Sequence, residues 1–381
     1  MKIIIAPDSF KESLSALDVA TEIEAGFRTV FPDADYVKLP IADGGEGTVA
    51  ALVTATGGEI HCALVRGPLG DTVEAFYGIS GDKQTAFIEM AAASGLALVS
   101  LAQRNPMKTS SFGTGELLLH ALDQGIRNFI IGIGGSATND GGVGMLQALG
   151  VSFLDDQGRK VGLGVQSLKT LNRIDASGLD QRLQQSRIQI ACDVDNPLTG
   201  DKGASVVFGP QKGATPEMVA ILDHCLKNYA SLIRRDLQRD VETVPGAGAA
   251  GGMGAAFLAF TNAELRPGIN IVMEAIRLDQ HLVSATLVIT GEGKIDGQTM
   301  HGKAPIGVSR MAQKTGIPVI AFAGSLGEGV ERVREQGICA CFSIVNRPCS
   351  LETALLEAKQ NLRLTATSVA ELIALGQEIS V

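Results

Sequence analysis

The chain lacks several features that mark common classes of protein function. Its 381 residues contain no Trp, and aromatic residues make up only 4% of the sequence. Base-stacking platforms for single-stranded nucleic acid depend on such side chains. The 32 Lys and Arg residues are outnumbered by 41 Asp and Glu residues, and the net charge is −9. Because nucleic-acid affinity depends largely on neutralising phosphates, we expect no nucleic-acid partner.

Metal-binding cysteine pairs and long bulky apolar runs are also missing. None of the six cysteines forms a C-x-x-C pair, which argues against a zinc framework or a dense disulfide scaffold. The uncharged stretch 243–263 is mostly Gly and Ala, so we predict a buried loop and a tightly packed helix there. The apolar start of the chain meets Pro7 and Asp8 too early for a signal peptide. These features predict no membrane partner and a cytoplasmic location.

The order of predicted elements is typical of an α/β protein. A β-branched run at 2–6 predicts a buried strand, and helical spacing over 15–30 predicts a helix with Ser13 or Ser15 as its N-cap. Extended pieces at 60–66, 72–79 and 85–90 are separated by turns and indicate a mixed or antiparallel region. Further strands are predicted at 36–41, 128–133, 187–192, 205–208, 286–290, 318–323 and 340–345, and further helices at 48–56, 115–124, 140–149, 216–237, 305–314, 328–336 and 351–375. This alternation favours α/β architecture with parallel strands.

Polar side chains follow six of these predicted strands, where ligands bind in open α/β sheets. They are Asp8, Ser9 and Lys11; Asp43 and Glu46; Ser136, Thr138, Asn139 and Asp140; Asp193, Asp195 and Asn196; Glu292, Lys294, Asp296 and Lys303; and Ser325. Any one of these loops could be an ordinary cap or turn. Together they favour a metal–phosphate site, because carboxylates hold Mg²⁺, glycine amides cradle phosphate and lysines offset its charge.

Two glycine-rich loops leave alternatives open. Residues 132–137 fit the G-x-G-x-x-A fingerprint of dinucleotide-binding proteins, so an NAD-dependent oxidoreductase is one alternative. The loop 245–254 could bind an anion at a helix N-terminus or could serve close helix packing. Neither loop ends in the Gly-Lys-Ser/Thr of a Walker NTPase, and no G-x-S-x-G elbow indicates a hydrolase. A non-catalytic small-molecule sensor is the remaining alternative.

Seven segments resemble those of the type I glycerate kinases, bacterial enzymes that phosphorylate D-glycerate with ATP. They read IAPDSFKESLSA, ADGGEGT, IEMAAASGL, GIGGSATNDGGVGMLQALG, FGPQKGA, PGAGAAGGMGAA and VITGEGKIDGQT, and the resemblance continues through HGKAPIGV. It implies ATP as cosubstrate, Mg²⁺ as cofactor, D-glycerate as acceptor and 2-phosphoglycerate as product. It also implies a Rossmann-like parallel-sheet domain formed by residues 1–60 and 285–381. A second, mixed-sheet (flavodoxin-like) α/β domain of residues 61–284 would be inserted into it, with the active site in the cleft between the two.

Phosphoryl transfer requires positioning, charge stabilisation and a group that accepts the hydroxyl proton, and the residues above are assigned on that basis. The predicted catalytic residues are Asp8, Lys11, Asp193, Lys294 and Asp296. The predicted substrate-binding residues are Ser9, Lys11, Asp43, Glu46 and His301. The predicted nucleotide-binding residues are Gly134, Gly135, Ser136, Thr138, Asn139, Asp140, Gly248, Gly251 and Gly252. Asp43 and Asp193 are the predicted metal ligands. The sequence does not identify which carboxylate is the general base, nor the oligomeric state.

Overall fold

The computed structural model describes residues 1–297, 299–301 and 303–379 and divides the chain into two compact units. The first unit contains Met1–Asp43, Ala50–Gly57 and the chain from Ile269 onward. The second contains Gly44–Val49 and Gly58–Gly268. Residues 269–284 therefore pack with the first unit, whereas the predicted domain boundary lies at residue 285. The predicted boundaries stay predictions.

The strands form two larger sheets and one small two-stranded sheet. In chain order they are β1 (Lys2–Ile5), β2 (Asp35–Lys38), β3 (Glu59–Arg66), β4 (Thr72–Ile79), β5 (Thr85–Glu89), β6 (Asn128–Gly132), β7 (Ser152–Leu154), β8 (Arg173–Asp175), β9 (Arg187–Ala191), β10 (Glu264–Arg266), β11 (Leu287–Ile295), β12 (Val319–Leu326) and β13 (Ile338–Ser343). The small sheet pairs β7 with β8 in antiparallel fashion.

Helices alternate with these strands. In chain order they are α1 (Ala16–Arg28), α2 (Thr48–Thr56), α3 (Ala91–Ser94), α4 (Phe112–Asp123), α5 (Val143–Ala148), α6 (Val165–Leu168), α7 (Ala204–Phe208), α8 (Pro216–Leu237), α9 (Ala249–Phe260), α10 (Gly268–Ala275), α11 (Leu278–Leu282), α12 (Ala304–Gln313) and α13 (Leu351–Ile379). Short 3-10 helices cover Leu96–Leu98, Leu101–Gln103, Gln181–Gln185, Pro210–Lys212, Thr299–His301 and Val330–Gln336. Within the described ranges, no helix combines the length and the apolar character that crossing a membrane requires.

The first unit is built on a five-stranded parallel sheet in the order β13-β12-β11-β1-β2. Counted along this unit alone, the order is 2-1-3-4-5, one of the two common doubly wound arrangements. Its core contains Ile3 and Ile5 of β1 and Phe27 of α1, all fully buried. Ser15 begins α1 as predicted, because its side chain accepts the amide of Asp18. The strand order reverses between β1 and β11, so a ligand crevice is expected at their carboxyl ends.

The second unit is built on a six-stranded mixed sheet in the order β10-β9-β6-β5-β4-β3. Strands β5, β6, β9 and β10 run parallel, whereas β3 and β4 add an antiparallel hairpin at one edge. The carboxyl ends of β5, β6 and β9 therefore meet at one sheet edge, with Glu89 opposite Gly132 and Gly132 opposite Ala191. The predicted fold class, one parallel and one mixed α/β sheet, is confirmed.

Two predicted elements are wrong in detail. The run 205–208, predicted as a strand, lies in helix α7, where Ser205 is buried and Val206 and Val207 are exposed. An apolar run of four residues is too short for its period to separate strand from helix. The predicted helix 328–336 is a 3-10 helix over Val330–Gln336. Strand β11 also extends five residues beyond its predicted end, and this extension positions part of the candidate site.

Candidate active site

In the first unit, Asp8 lies at the carboxyl end of β1, next to the point where the strand order reverses. Pairing with β11 continues beyond β1, because the amide of Ala6 donates to the carbonyl of Ile289 and that of Asp8 to the carbonyl of Gly291, each at 2.8 Å. The amide of Ser9 donates to Oδ1 of Asp8 at 2.6 Å. The backbone thus fixes the Asp8 carboxylate at the expected ligand crevice.

Lys11 is presented by a tight turn that follows. Phe10 and Leu14 exchange two backbone hydrogen bonds of 2.9 Å, and Glu12 between them has a φ of +64°. A left-handed backbone at a non-glycine residue costs about 1–2 kcal/mol, and such strain concentrates at functional sites. The Lys11 side chain is exposed at the tip of this turn.

The carboxylate of Asp8 belongs to a cluster with Asp43 and Glu292. Burial, followed by the negative charges of Asp43 and Glu292, raises the pKa of Asp8 to about 7. The Ser9 amide and the positive charge of Lys11 oppose this rise. The repulsion between these carboxylates is the kind of electrostatic environment that a cation would stabilise.

Glu292 is one of the polar side chains that follow the predicted strands, but it has no predicted catalytic or binding role. It is buried on the extended part of β11, where it accepts a hydrogen bond from the Thr299 hydroxyl and lies 3.8 Å from Nζ of Lys303. Burial is the main cause that raises its pKa, and the charges of Asp296 and Asp43 add to the effect. A glutamate that continues an apolar strand run is the sequence signal that could have found it.

Lys294 and Asp296, both predicted as catalytic, form an ion pair with each other. Nζ of Lys294 lies 2.9 Å from Oδ2 of Asp296, and the Asp296 amide donates to the Thr299 hydroxyl. Thr299 thus links this pair to Glu292. Because the two charges offset each other, their contribution to a phosphate site is smaller than that of an unpaired lysine.

The first-unit carboxylates fit a divalent cation. Among the described side chains, no group of three or more His, Cys, Asp and Glu residues is arranged to hold a metal ion by itself. Mg²⁺ is usually held by only one or two carboxylates, together with water and substrate phosphates. Asp43 offers such a carboxylate, and its repulsion with Asp8 is a reason for a cation to bind there. The other predicted ligand, Asp193, belongs to the second unit, where it accepts the Gly268 amide at 3.0 Å.

In the second unit, the loop after β6 divides into an exposed and a buried half. Gly134 and Gly135 are exposed, and a Cβ built on Gly134 would meet only the Cα of Gly45, at 3.6 Å. The run from Ser136 to Asp140 is buried. The two exposed glycines are accessible to a phosphate, whereas the predicted nucleotide contacts from Thr138, Asn139 and Asp140 have no exposed surface to support them.

The buried half of this loop is held by internal hydrogen bonds. Asp140 accepts from the amide and hydroxyl of Ser111 and from the amides of Gly142 and Gly144. Burial raises the pKa of Asp140, and these donors oppose the rise. The structure thus gives Asp140 a scaffolding role at the turn before α5.

Lys212 is a second residue that sequence reasoning missed. Its side chain is 2% exposed, and its Nζ lies 2.7 Å from both the hydroxyl of Ser136 and the carbonyl of Thr138. Burial lowers the pKa of Lys212 to about 7, and the charge of Asp140 opposes this shift. Lys212 is therefore an internal tether of the loop. Its place in the segment FGPQKGA gave no sign that it would be buried.

The second glycine-rich loop has a clear packing reason for its glycines. Gly251 and Gly252 have φ values of +66° and +96°, and a Cβ on Gly251 would lie 2.1 Å from the Thr138 carbonyl oxygen. The Gly248 amide donates to Asn196 and the Gly252 amide to Gly248. Close packing therefore has more support here than anion binding, and the nucleotide-binding roles of Gly248, Gly251 and Gly252 stay predictions.

Two predicted substrate residues remain. Glu46 is exposed on the segment Gly44–Val49 of the second unit. The side chain of His301 falls outside the described part of the structure. Helix α5 begins six residues after Ala137, whereas a dinucleotide-binding fingerprint opens directly into its helix. The structural context that the NAD-dependent alternative requires is thus missing from this loop.

The comparisons with known proteins agree on one family. The model of the glycerate kinase family matches residues 3–374. The chain is 57% identical over 376 residues to the "Glycerate 2-kinase" of Escherichia coli (strain K12) and 54% identical over 377 residues to the "Glycerate kinase" of Bacillus subtilis (strain 168), with 99% of each chain covered. A crystal structure from Salmonella typhimurium LT2, described as a glycerate kinase 2, is similar with a TM-score of 0.92, 60% identity and 99% of both chains covered.

Proposed function

This chain belongs to the glycerate kinase family, and we propose that it transfers the γ-phosphoryl group of ATP to D-glycerate, forming 2-phosphoglycerate and ADP. The observation that carries the proposal is the cluster of Asp8, Asp43 and Glu292 at the reversal point of a parallel sheet. The 2-position is proposed because the relative from Escherichia coli is named a glycerate 2-kinase.

In this proposal, Asp8 is the general base. The glycerate hydroxyl transfers its proton to the Asp8 carboxylate while its oxygen bonds to the γ-phosphorus, and the bond between that phosphorus and the leaving oxygen of ADP breaks. A base with a pKa near the working pH is suited to this transfer, and the pKa of Asp8 is raised to about 7. Lys11, exposed beside it, offsets the negative charge of the glycerate carboxylate or the phosphate.

The remaining roles follow from position and charge. Asp43 is the proposed Mg²⁺ ligand of the first unit. When bound with ATP, Mg²⁺ neutralises charge on the transferring phosphoryl group. Gly134 and Gly135 of the second unit are exposed, and their backbone amides bind the phosphates. Glu46 is also exposed and contacts the glycerate hydroxyls. Ser9, Asp193, Lys294, Asp296 and His301 stay predictions, as do the active site between the two units and the cytoplasmic location.

The test is ADP release from Mg-ATP by the purified protein, with and without D-glycerate. Phosphorus NMR of the product identifies the phosphorylated oxygen. The expected result is glycerate-dependent ADP release with phosphate on C2, and its loss in a folded Lys11→Ala variant. Phosphate on C3 would change the proposed position of phosphorylation and leave the kinase proposal intact. If a folded wild-type protein released no ADP above background, the kinase proposal would be refuted and a sensor role would take its place.

A further inference from the structure

Glu89 is a buried carboxylate that the proposed mechanism does not use. It ends β5 with 5% of its surface exposed, and in the sheet it lies opposite Gly132, the last residue of β6. It therefore shares the sheet edge from which the exposed glycines of the next loop extend. A buried carboxylate is costly unless hydrogen-bond donors surround it, so its partners indicate what it does.

Those partners are the first backbone amides of helix α2. Oε1 of Glu89 accepts the Val49 amide at 2.8 Å, and hydrogen bonds from the amides of Gly47 and Thr48 also favour its charged form. The first turn of α2 contains no acidic residue, and the Thr48 hydroxyl donates to the Gly45 carbonyl at 2.7 Å. A carboxylate accepting amides at a helix N-terminus forms strong, charge-assisted hydrogen bonds. Glu89 thus caps α2 from a strand 40 residues away in sequence.

The segment that Glu89 holds is packed closely over the sheet edge. A Cβ on Gly44 would lie 2.6 Å from the Cβ of Ala191, and a Cβ on Gly132 would lie 2.5 Å from the Gly44 carbonyl oxygen. Gly44 has a φ of +94°, a conformation that favours glycine. The segment Gly44–Val49 is therefore fixed at one end by these contacts and at the other end by Glu89. Glu46 lies between them and is exposed.

The charges around Glu89 argue against a purely structural cap. Burial is the main cause that raises the pKa of Glu89, and the negative charge of Glu46 adds to this rise. A neutral Ser or Asn would cap the helix without burying a charge. A carboxylate forms stronger hydrogen bonds with three successive amides than a neutral side chain does, and these amides belong to the turn that contains Glu46.

We infer that Glu89 is a positioning residue for the D-glycerate subsite, because its hold on the amides of Gly47–Val49 fixes the turn from which Glu46 reaches the substrate. The inference rests on the proposed function, in which Glu46 binds the glycerate hydroxyls. The two can be separated by measurement, because the hold on the turn can be observed without any substrate.

The experiment compares Glu89→Gln with the matched variant Glu22→Gln. Gln keeps the shape of Glu89 but replaces one acceptor oxygen with a donor group that cannot bind an amide N–H. Glu22 is also a buried carboxylate, 2% exposed, but its partners are the side chains of Arg363 at 2.6 Å and Lys359 at 3.5 Å in the first unit. Loss of either carboxylate is expected to lower stability, whereas only Glu89 holds the turn.

Two readouts decide the result. We expect Glu89→Gln to speed hydrogen exchange at the amides of 47–49. We also expect it to raise the KM for D-glycerate about tenfold, because substrate binding must then order a turn that Glu89 no longer fixes. The kcat and the KM for ATP should change less than threefold, and Glu22→Gln should leave both KM values unchanged.

Unchanged exchange at 47–49, or an unchanged KM for D-glycerate, would overturn the inference while leaving the kinase intact. If both variants lost activity in proportion to their loss of stability, the inference would be overturned as well. A wild-type protein without glycerate-dependent ADP release would refute the proposed function, and with it the role of Glu89 in substrate positioning. Faster hydrogen exchange at 47–49 in Glu89→Gln would then show only that Glu89 caps helix α2.

Discussion

Replacing Asp8 by Asn is expected to stabilise the protein and to abolish most of its activity. The charges of Asp43 and Glu292 and the burial of the carboxylate raise the pKa of Asp8 from 3.8 to about 7. An acid with a raised pKa in the folded state binds more protons there than in the unfolded chain, so it lowers stability as pH rises from about 4 to about 7. Asn has nearly the same shape and does not ionise, so it removes this penalty.

The size of this pKa rise sets the magnitude of the expected effect. A pKa rise from 3.8 to about 7 corresponds to an upper bound of about 4 kcal/mol. Asp8 is only partly buried and solvent screens its charge, so we expect a gain of about 1–2 kcal/mol at pH 8. The gain should shrink as pH falls and disappear near pH 4, where the carboxylate is protonated in both states. Loss of a general base should lower kcat by about 10²–10⁴-fold.

The assay is urea unfolding at pH 5 and pH 8 without nucleotide and with EDTA, together with glycerate-dependent ADP release. Asp33→Asn is the matched control, because Asp33 is an exposed residue outside the cluster, between α1 and β2. An Asp8→Asn protein that is less stable than wild type at pH 8 would refute the electrostatic reasoning. A variant that keeps its kcat within threefold would refute the role of Asp8 as base.

Three further predictions test other parts of the molecule. Mg²⁺ at about 100 times its Kd should stabilise the wild type by about 2.7 kcal/mol in urea unfolding, and Asp43→Asn should lose most of this effect; equal stabilisation would exclude Asp43 as a ligand. Burial lowers the pKa of Lys212 to about 7, so between pH 7 and pH 10 the unfolded chain binds one more proton than the folded protein. The free energy of unfolding of the wild type should therefore rise with pH over this range relative to that of Lys212→Met. Parallel pH profiles of the two proteins would contradict this. Gln238 ends α8 with a φ of +56°, so Gln238→Gly should raise the free energy of unfolding by about 1 kcal/mol without changing kcat, and a loss of stability would contradict the assigned strain.

Helix α8 and strand β4 were predicted to the residue. Helix α8 spans 216–237 as predicted, because Thr215 caps it with its side chain and Pro216 occupies its first turn. Strand β4 also has its predicted bounds, 72–79. Helix α7 was missed because an apolar run of four residues is too short for its period to separate strand from helix. The end of β11 was missed because it depends on pairing with another strand. Strand β11 continues only because β12 pairs with it as far as Ile295.

The exposed part of the candidate site was easier to predict than the buried part. Asp8 and Lys11 follow a strand of three isoleucines, so their place at the sheet edge could be inferred from the sequence. Glu292, Lys212 and Glu89 are buried polar residues in apolar or glycine-rich stretches, and their partners are distant in sequence. A single sequence does not indicate such partners, because the residue type alone does not show whether it faces solvent or the interior.

The loop after β6 combines exposed and buried residues within one polar motif. The same run supplies two exposed glycines at Gly134 and Gly135 and a buried framework from Ser136 to Asp140. Backbone amides bind phosphate well only when the loop is held rigidly, because ordering a mobile loop on binding costs affinity. Asp140 and Lys212 supply that rigidity through hydrogen bonds to Ser111 and Ser136. Ser136 and Asp140 therefore support the loop, and the exposed backbone of Gly134 and Gly135 is the part of it that a phosphate can reach.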